Sequence, residues 1–260
     1  MTFLAPTLVF LFLVAPGVRL LALATKTRQS PELWGGLYFL GASFGISLRM
    51  FGASAQFEMP EAATLANSIG HAGLAAGTIA MAFFTQRVFH PDSARAKAFA
   101  GFVVAAIAGT TLWTFFGGHV TAENSGAVIA TNSFRVIPTA WAFYESFRYW
   151  RSMKKREWLG LSDPVVTNRF LLWSIWTLGV SLLPAIALTL RLVAMLVLGD
   201  TQDPQSTQAT YQPMIMAGVR IVFLAIVPAS VIALTLAFFP PKPYLARIRD
   251  RAESAATAEA

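Results

Sequence analysis

Long apolar runs alternate with short stretches carrying most of the charge along nearly the whole chain. That pattern predicts seven helices of membrane-crossing length, at 3–24, 34–54, 62–87, 98–118, 126–149, 168–191 and 213–239. An α-helix needs about 20 predominantly apolar residues to cross a hydrocarbon core. Pro31, Pro60, Pro91, Pro164, Pro204, Pro213 and the pair Pro240-Pro241 stand at or near the joints, where a missing amide proton costs least. Pro138, Pro184 and Pro228 fall inside the fifth, sixth and seventh runs. Kinks or local unwinding are expected there, because neighbouring helices can satisfy the freed carbonyls. The fold class expected is an all-α membrane protein: a seven-transmembrane-helix bundle over residues 1–240, then a tail, 241–260, basic at first and disordered towards its small, polar end.

Composition sharpens this picture. Of the 260 residues, 55% are hydrophobic and only 13% charged, against roughly 25% charged in soluble domains. The seven runs leave no room for a separate soluble domain of about 50 residues or more. Cysteine is absent, which excludes disulfides, thiol nucleophiles and thiolate metal sites. The net charge of +7 would suggest nucleic acid in a soluble protein. Here it points to basic loops lying against the anionic lipid of the bilayer, and no nucleic-acid partner is expected. Ala22-Leu23-Ala24 resembles a signal-peptide cleavage site, but no Lys or Arg precedes the apolar stretch, so 3–24 is read as a retained first helix.

Lys and Arg set the expected orientation. The first loop carries Lys26 and Arg28, and the third carries Arg87, Arg95 and Lys97. The fifth has Arg151, Lys154, Lys155 and Arg156, flanked by Arg148 and Arg169, and the tail has Lys242, Arg247, Arg249 and Arg251. The alternate loops hold Glu58, Glu61, Glu123, Asp200 and Asp203 and no lysine. The N-terminus is therefore expected outside and the C-terminus in the cytoplasm, in a plasma (inner) membrane.

Ionisable residues inside the runs are the candidates for chemistry, because each is costly in lipid. Arg49, His71, Arg135, Arg191 and Arg220 all fall in the outer half of the expected bundle. Thr64, Asn67, Ser68, His71 and Thr78 share a stripe at helical spacing, as do Asn132, Arg135 and Thr139. Thr110, Thr111, Trp113 and Thr114 lie at similar depth in the fourth run. One outward-facing cavity lined by the second to seventh helices would collect these groups. The planar guanidinium fork suits carboxylate or phosphate, so the expected ligand is a small polar or anionic molecule, with Asn67, Ser68, His71, Asn132, Arg135, Arg220, Arg49 and Arg191 as its lining. The bland alternative is structural: Arg49 and Arg191 snorkel to headgroups, and Arg135 and Arg220 pair with acidic residues of the outer loops. A second cluster, Glu145, Arg148, Arg151, Lys154, Lys155 and Arg156, is either an aromatic belt with a positive-inside loop or a docking surface for a cytoplasmic protein or anionic lipid. Gly41-x-x-x-Gly45 and Gly73-x-x-x-Gly77 signal close helix packing.

Several seven-helix classes do not fit. A retinal protein needs a lysine for its Schiff base in the seventh helix, and 213–239 has none. Intramembrane zinc hydrolases need several buried histidines, and of His71, His90 and His119 only His71 lies inside a run. Sugar and cystine carriers carry Pro-Gln pairs in helices, whereas Pro204-Gln205 is in a loop. The leading expectation is a receptor-like sensor. A transporter using the same site comes second, and a membrane enzyme or haem-binding subunit third. The residues name no cofactor beyond excluding retinal held by a Schiff base, and catalysis is not favoured: His71 with Ser68 lacks an orienting carboxylate on its own helix.

Overall fold

The structure, a computed structural model, describes residues 4–55, 58–117, 126–198, 226–248 and 250, with backbone alone at 4–6, 8, 158, 187, 190, 191 and 194–198. Within them the chain is entirely helical: α1 (Leu4–Thr27), α2 (Ser30–Ala55), α3 (Pro60–Phe89), α4 (Ala94–Phe116), α5 (Gly126–Trp158) and α6 (Pro164–Leu198), then α7 (Ile226–Phe238) and α8 (Lys242–Ile248). Among the described residues, four helices are long and apolar enough to cross a bilayer, or five if α7 and α8 count as one bent span. The protein is thus a multi-pass, all-helical membrane protein. α2 and α5 do not reach that apolarity. Small residues and Arg49 dilute α2, while Arg135, Glu145 and a basic C-terminal end dilute α5.

Local chemistry fixes the helix ends. Pro60 opens α3. The Ser93 hydroxyl accepts from the Ala96 amide at 3.2 Å to cap α4. Gly160, at φ +69°, ends α5; its amide donates to the Glu157 carbonyl at 3.0 Å and that of Leu161 to Arg156 at 2.9 Å. This pairing closes a helix through a left-handed residue, which glycine adopts without strain. Asp163 then caps α6, accepting from the Val165 amide at 2.8 Å, with Pro164 as the first helical residue. Helices α5 and α6 run unbroken through Pro138 and Pro184.

Two compact units divide the chain, Met1–Trp141 and Ala142–Ala260. In the first, α2 packs between α1 and α3, and α3 also meets α4. The α2–α3 seam is a glycine contact. A Cβ at Gly41 would lie 2.6 Å from the Cα and N of Gly77, and one at Gly45 would lie 2.7 Å from the Leu74 amide nitrogen. Only residues without side chains let two helix backbones approach so closely. Further along, α2 and α3 are tied by the Trp34–Phe83 ring contact at 4.7 Å. Against α1, the Ser43 hydroxyl donates to the Phe10 carbonyl at 3.0 Å. An apolar cluster of Ala75, Ala82, Val103 and Ile107, joined by Ile79, Phe134 and Ile137, fills the space shared by α3, α4 and α5.

In the second unit, Tyr149 of α5 meets Phe170 of α6 at 4.5 Å, and Trp173 of α6 meets Phe238 of α7 at 5.9 Å. Trp176 is buried against Trp173, so this pair packs inside the protein. The chain turns by 88° between α7 and α8. Two expectations change here. Residues 150–158, read as a loop, continue α5 as helix, because the aromatic belt at 149–150 gives way to a run of good helix formers ended only by Gly160. Residues 242–248, read as the basic start of the tail, which could lie on the membrane surface, form a short helix pinned by a hydrogen bond from Asn168 Nδ2 to the Tyr244 hydroxyl at 2.7 Å. The end of the tail, like residues 213–225 of the seventh expected span, lies outside the described residues.

Candidate functional site

His71 and Arg135 form the centre of the site. His71 is 1% exposed on α3 and Arg135 is 9% exposed on α5. Each lies roughly 14–17 Å from the start of its helix, at 1.5 Å rise per residue. Arg135 Nη2 donates to the His71 carbonyl at 2.8 Å, and Nη1 lies 3.3 Å from His71 Nδ1. A guanidinium only donates. Nδ1 is therefore the acceptor, and the imidazole proton belongs on Nε2. Among the described residues, both hydrogen bonds of Arg135 go to His71, and its buried Nε–H has no acceptor.

The charge is not isolated. Arg49 of α2 runs alongside: a Cβ at Gly70 would meet its Cγ at 2.7 Å. Its guanidinium acts electrostatically on both His71 and Arg135. Gly70 thus admits a second cation beside His71, and the same region of unit 1 holds two guanidinium groups.

A threonine layer lies next to this pair. Thr114 and Thr131, both fully buried, meet at 3.1 Å and join α4 to α5. One helical turn along each chain from that contact come Thr111 and Arg135. Thr111 Oγ1 is buried without a hydrogen-bond partner. An unpaired buried hydroxyl and an unpaired buried guanidinium N–H are costly, and both lie one turn from the same interhelical bond.

Not every residue of the expected lining joins the pair. Asn67 packs its side-chain amide against Gly52, where a Cβ would lie 2.6 Å from its Oδ1, so it sits in the α2–α3 seam. Ser68 spends its hydroxyl on the Thr64 carbonyl at 2.9 Å and lines an open groove with Pro60, Glu61, Thr64 and Leu65. Asn132 is half-buried, whereas its neighbour Thr131 makes the contact with α4. Trp113 is 53% exposed and faces away from the site. The side chain of Arg191, and Arg220, His119, Glu123, Asp200 and Asp203 in full, lie outside the described residues. Thr131 escaped the sequence reading although it stands one turn before Arg135 on the same face of its helix, a spacing that could have drawn attention to it.

Further polar side chains of unit 1, Thr78, Thr85, Gln86 and Thr139, are also buried. Their hydrogen atoms are committed locally: Thr85 and Thr139 donate to Met81 and Val136 carbonyls at 2.9 Å, Thr78 to Leu74 at 2.5 Å, and Gln86 to His90 at 3.0 Å. His90 itself stacks on Trp141 at 6.5 Å.

The second expected cluster lies on the C-terminal half of α5. Arg148, Arg151, Lys154, Lys155 and Arg156 are exposed. Glu145 is 8% exposed, so it offers little to a docking partner, and it faces Arg148 at 3.9 Å. Lys154 pairs with Glu157 at 2.7 Å.

The chain matches no protein-family model, no curated protein and no solved structure.

Proposed function

We propose that the protein is a receptor-like sensor that binds a small anion at the Arg135–His71 site, entered from the outer face of a bacterial-type plasma membrane. The observation that carries the reading is a buried guanidinium on α5 whose described hydrogen bonds reach an imidazole and a carbonyl of α3, with Nε–H unsatisfied. A buried cation needs a counter-charge, and such intramembrane charges mark ligand or ion sites. The reading adopts seven spans with the N-terminus outside, since every lysine falls in the loops or tail assigned to the cytoplasm.

Sensing is favoured over transport by what adjoins the pair. Ala75, Ile79, Ala82, Val103, Ile107, Phe134 and Ile137 close the route between α3, α4 and α5, and the buried hydroxyls beyond them donate to their own helices. A transporter requires a polar path on both sides of its site.

Two experiments test this. A topology reporter inserted near Lys154 or fused after Ala260 is expected to read cytoplasm, and one near Asp203 to read outside; an external reading at Lys154 overturns the orientation. In proteoliposomes, a radiolabelled anion from a panel of formate, acetate, phosphate, sulfate and chloride is expected to bind saturably without entering the lumen. Lumenal uptake would favour the transporter, and no saturable binding by any of them would reject the site.

A further inference from the structure

The second unit carries a separate basic surface. Around the first turns of α6, three ring and hydrogen-bond contacts gather other helices: Tyr149 of α5 on Phe170, the Tyr244 hydroxyl of α8 on Asn168, and Phe238 of α7 on Trp173. Arg169 lies between Asn168 and Phe170 in sequence and is exposed. Lys242 and Arg247 on α8 are exposed too. Positive charge from α6 and α8 therefore meets at one end of the unit. The acidic groups on these elements are largely occupied: Glu145 faces Arg148, Glu157 pairs with Lys154, and Asp163 caps α6. Asp250, beyond the end of α8, also has an interaction.

The geometry of α8 says which partner fits. Pro240-Pro241 break the helix, and the chain leaves α7 at 88°. A helix at right angles to a membrane-directed one runs along the bilayer surface. Tyr244, Leu245 and Ile248 are half-buried, while Lys242 and Arg247 point to solvent. The half-buried side rests on the protein, with Tyr244 on Asn168, which leaves the two cations outward, where headgroups would meet them. The tyrosines Tyr149 and Tyr244 beside the cations are the aromatic type enriched at that depth.

We propose that α8, with Arg169 of α6, forms a binding site for the headgroup of an anionic phospholipid, and that the Asn168–Tyr244 hydrogen bond holds α8 in place for it. The phosphodiester supplies the negative charge, and its acyl chains enter the bilayer beside α6 and α7. This site is independent of the Arg135–His71 pair.

The test is native mass spectrometry of the full chain, purified in mild detergent and exchanged against phosphatidylglycerol or phosphatidylcholine. Wild type is expected to retain phosphatidylglycerol preferentially. Each surface cation contributes roughly fivefold in affinity to an anionic surface, so the triple variant Arg169→Gln, Lys242→Gln, Arg247→Gln should bind on the order of a hundredfold more weakly. Tyr244→Phe, which alters no charge, should reduce retention by freeing α8. The control Arg87→Gln, Arg95→Gln, Lys97→Gln, which removes as many cations from the first unit, should retain the lipid as wild type does. Thermal unfolding in lipid-free detergent confirms that each variant is folded. Equal retention of both lipids by wild type, or a triple variant indistinguishable from the control, would overturn the proposal and leave the surface to a protein partner.

Discussion

Gly41→Val is expected to destabilise the first unit strongly. A Cβ at this position would meet the Cα and N of Gly77 at 2.6 Å and the Gly73 carbonyl oxygen at 2.7 Å. These are backbone atoms, so no rotamer change relieves the clash. α2 and α3 would have to separate, loosening the Gly45–Leu74 and Gly52–Asn67 approaches and shifting Arg49 from its place beside Gly70. The expected cost is about 3 kcal/mol, at the upper end for overpacking. Gly101→Ala and Gly109→Ala are the controls. Nothing lies within 4 Å of a Cβ at either, and alanine is the better helix former, so both are expected to be neutral or stabilising by up to ~1 kcal/mol. Urea or SDS unfolding of purified protein in mild detergent compares the three.

The second large effect concerns Arg135. Arg135→Ala removes both hydrogen bonds to His71 and the unsatisfied Nε–H. A charge-assisted bond is worth about 1.5–3 kcal/mol, so the affinity for an anion at the site is expected to fall roughly ten- to a hundredfold. Arg135→Lys should lose nearly as much, because an ammonium cannot hold the His71 carbonyl and Nδ1 while presenting a planar fork. Arg49→Ala should cost less, since Arg49 is half-buried and better screened. Arg220→Ala is expected to resemble Arg135→Ala, on the depth that its place in the seventh apolar run implies. Titration of each purified variant with the anion that wild type binds reads these differences.

The sequence made the helices legible because membrane crossing demands long apolar runs, and those from Leu4 to Phe116 follow the expected spans within a few residues. It made the glycine seam legible for a related reason: Gly41, Gly45, Gly73 and Gly77 recur at the spacing of one helix face, and that face meets its partner. The burial of His71 and Arg135 followed from the cost of charge in lipid. Their direct contact did not, because sequence spacing gives the face of each helix but not the rotation of α3 against α5. Thr64, Ser68 and Asn67 show the same limit. A polar stripe at helical spacing divides between an open groove and a glycine seam once neighbouring helices take their places. The extension of α5 to Trp158 was hidden because a basic segment past an aromatic belt reads equally as loop or as solvated helix; Gly160 was the stop signal. The turn of α8 was hidden because the bond that pins it joins Asn168 and Tyr244, far apart in the chain.

The most direct measurement of the central claim is the thermal unfolding midpoint of purified wild type and Arg135→Lys, each with and without formate, acetate, phosphate, sulfate or chloride. A ligand that binds only the folded state raises the midpoint in proportion to its occupancy. The account predicts that at least one anion raises the wild-type midpoint in a concentration-dependent way and leaves that of Arg135→Lys unmoved. If no anion stabilises wild type, and Arg135→Lys simply melts earlier whatever is added, the Arg135–His71 pair is a clamp between α3 and α5 and not a binding site.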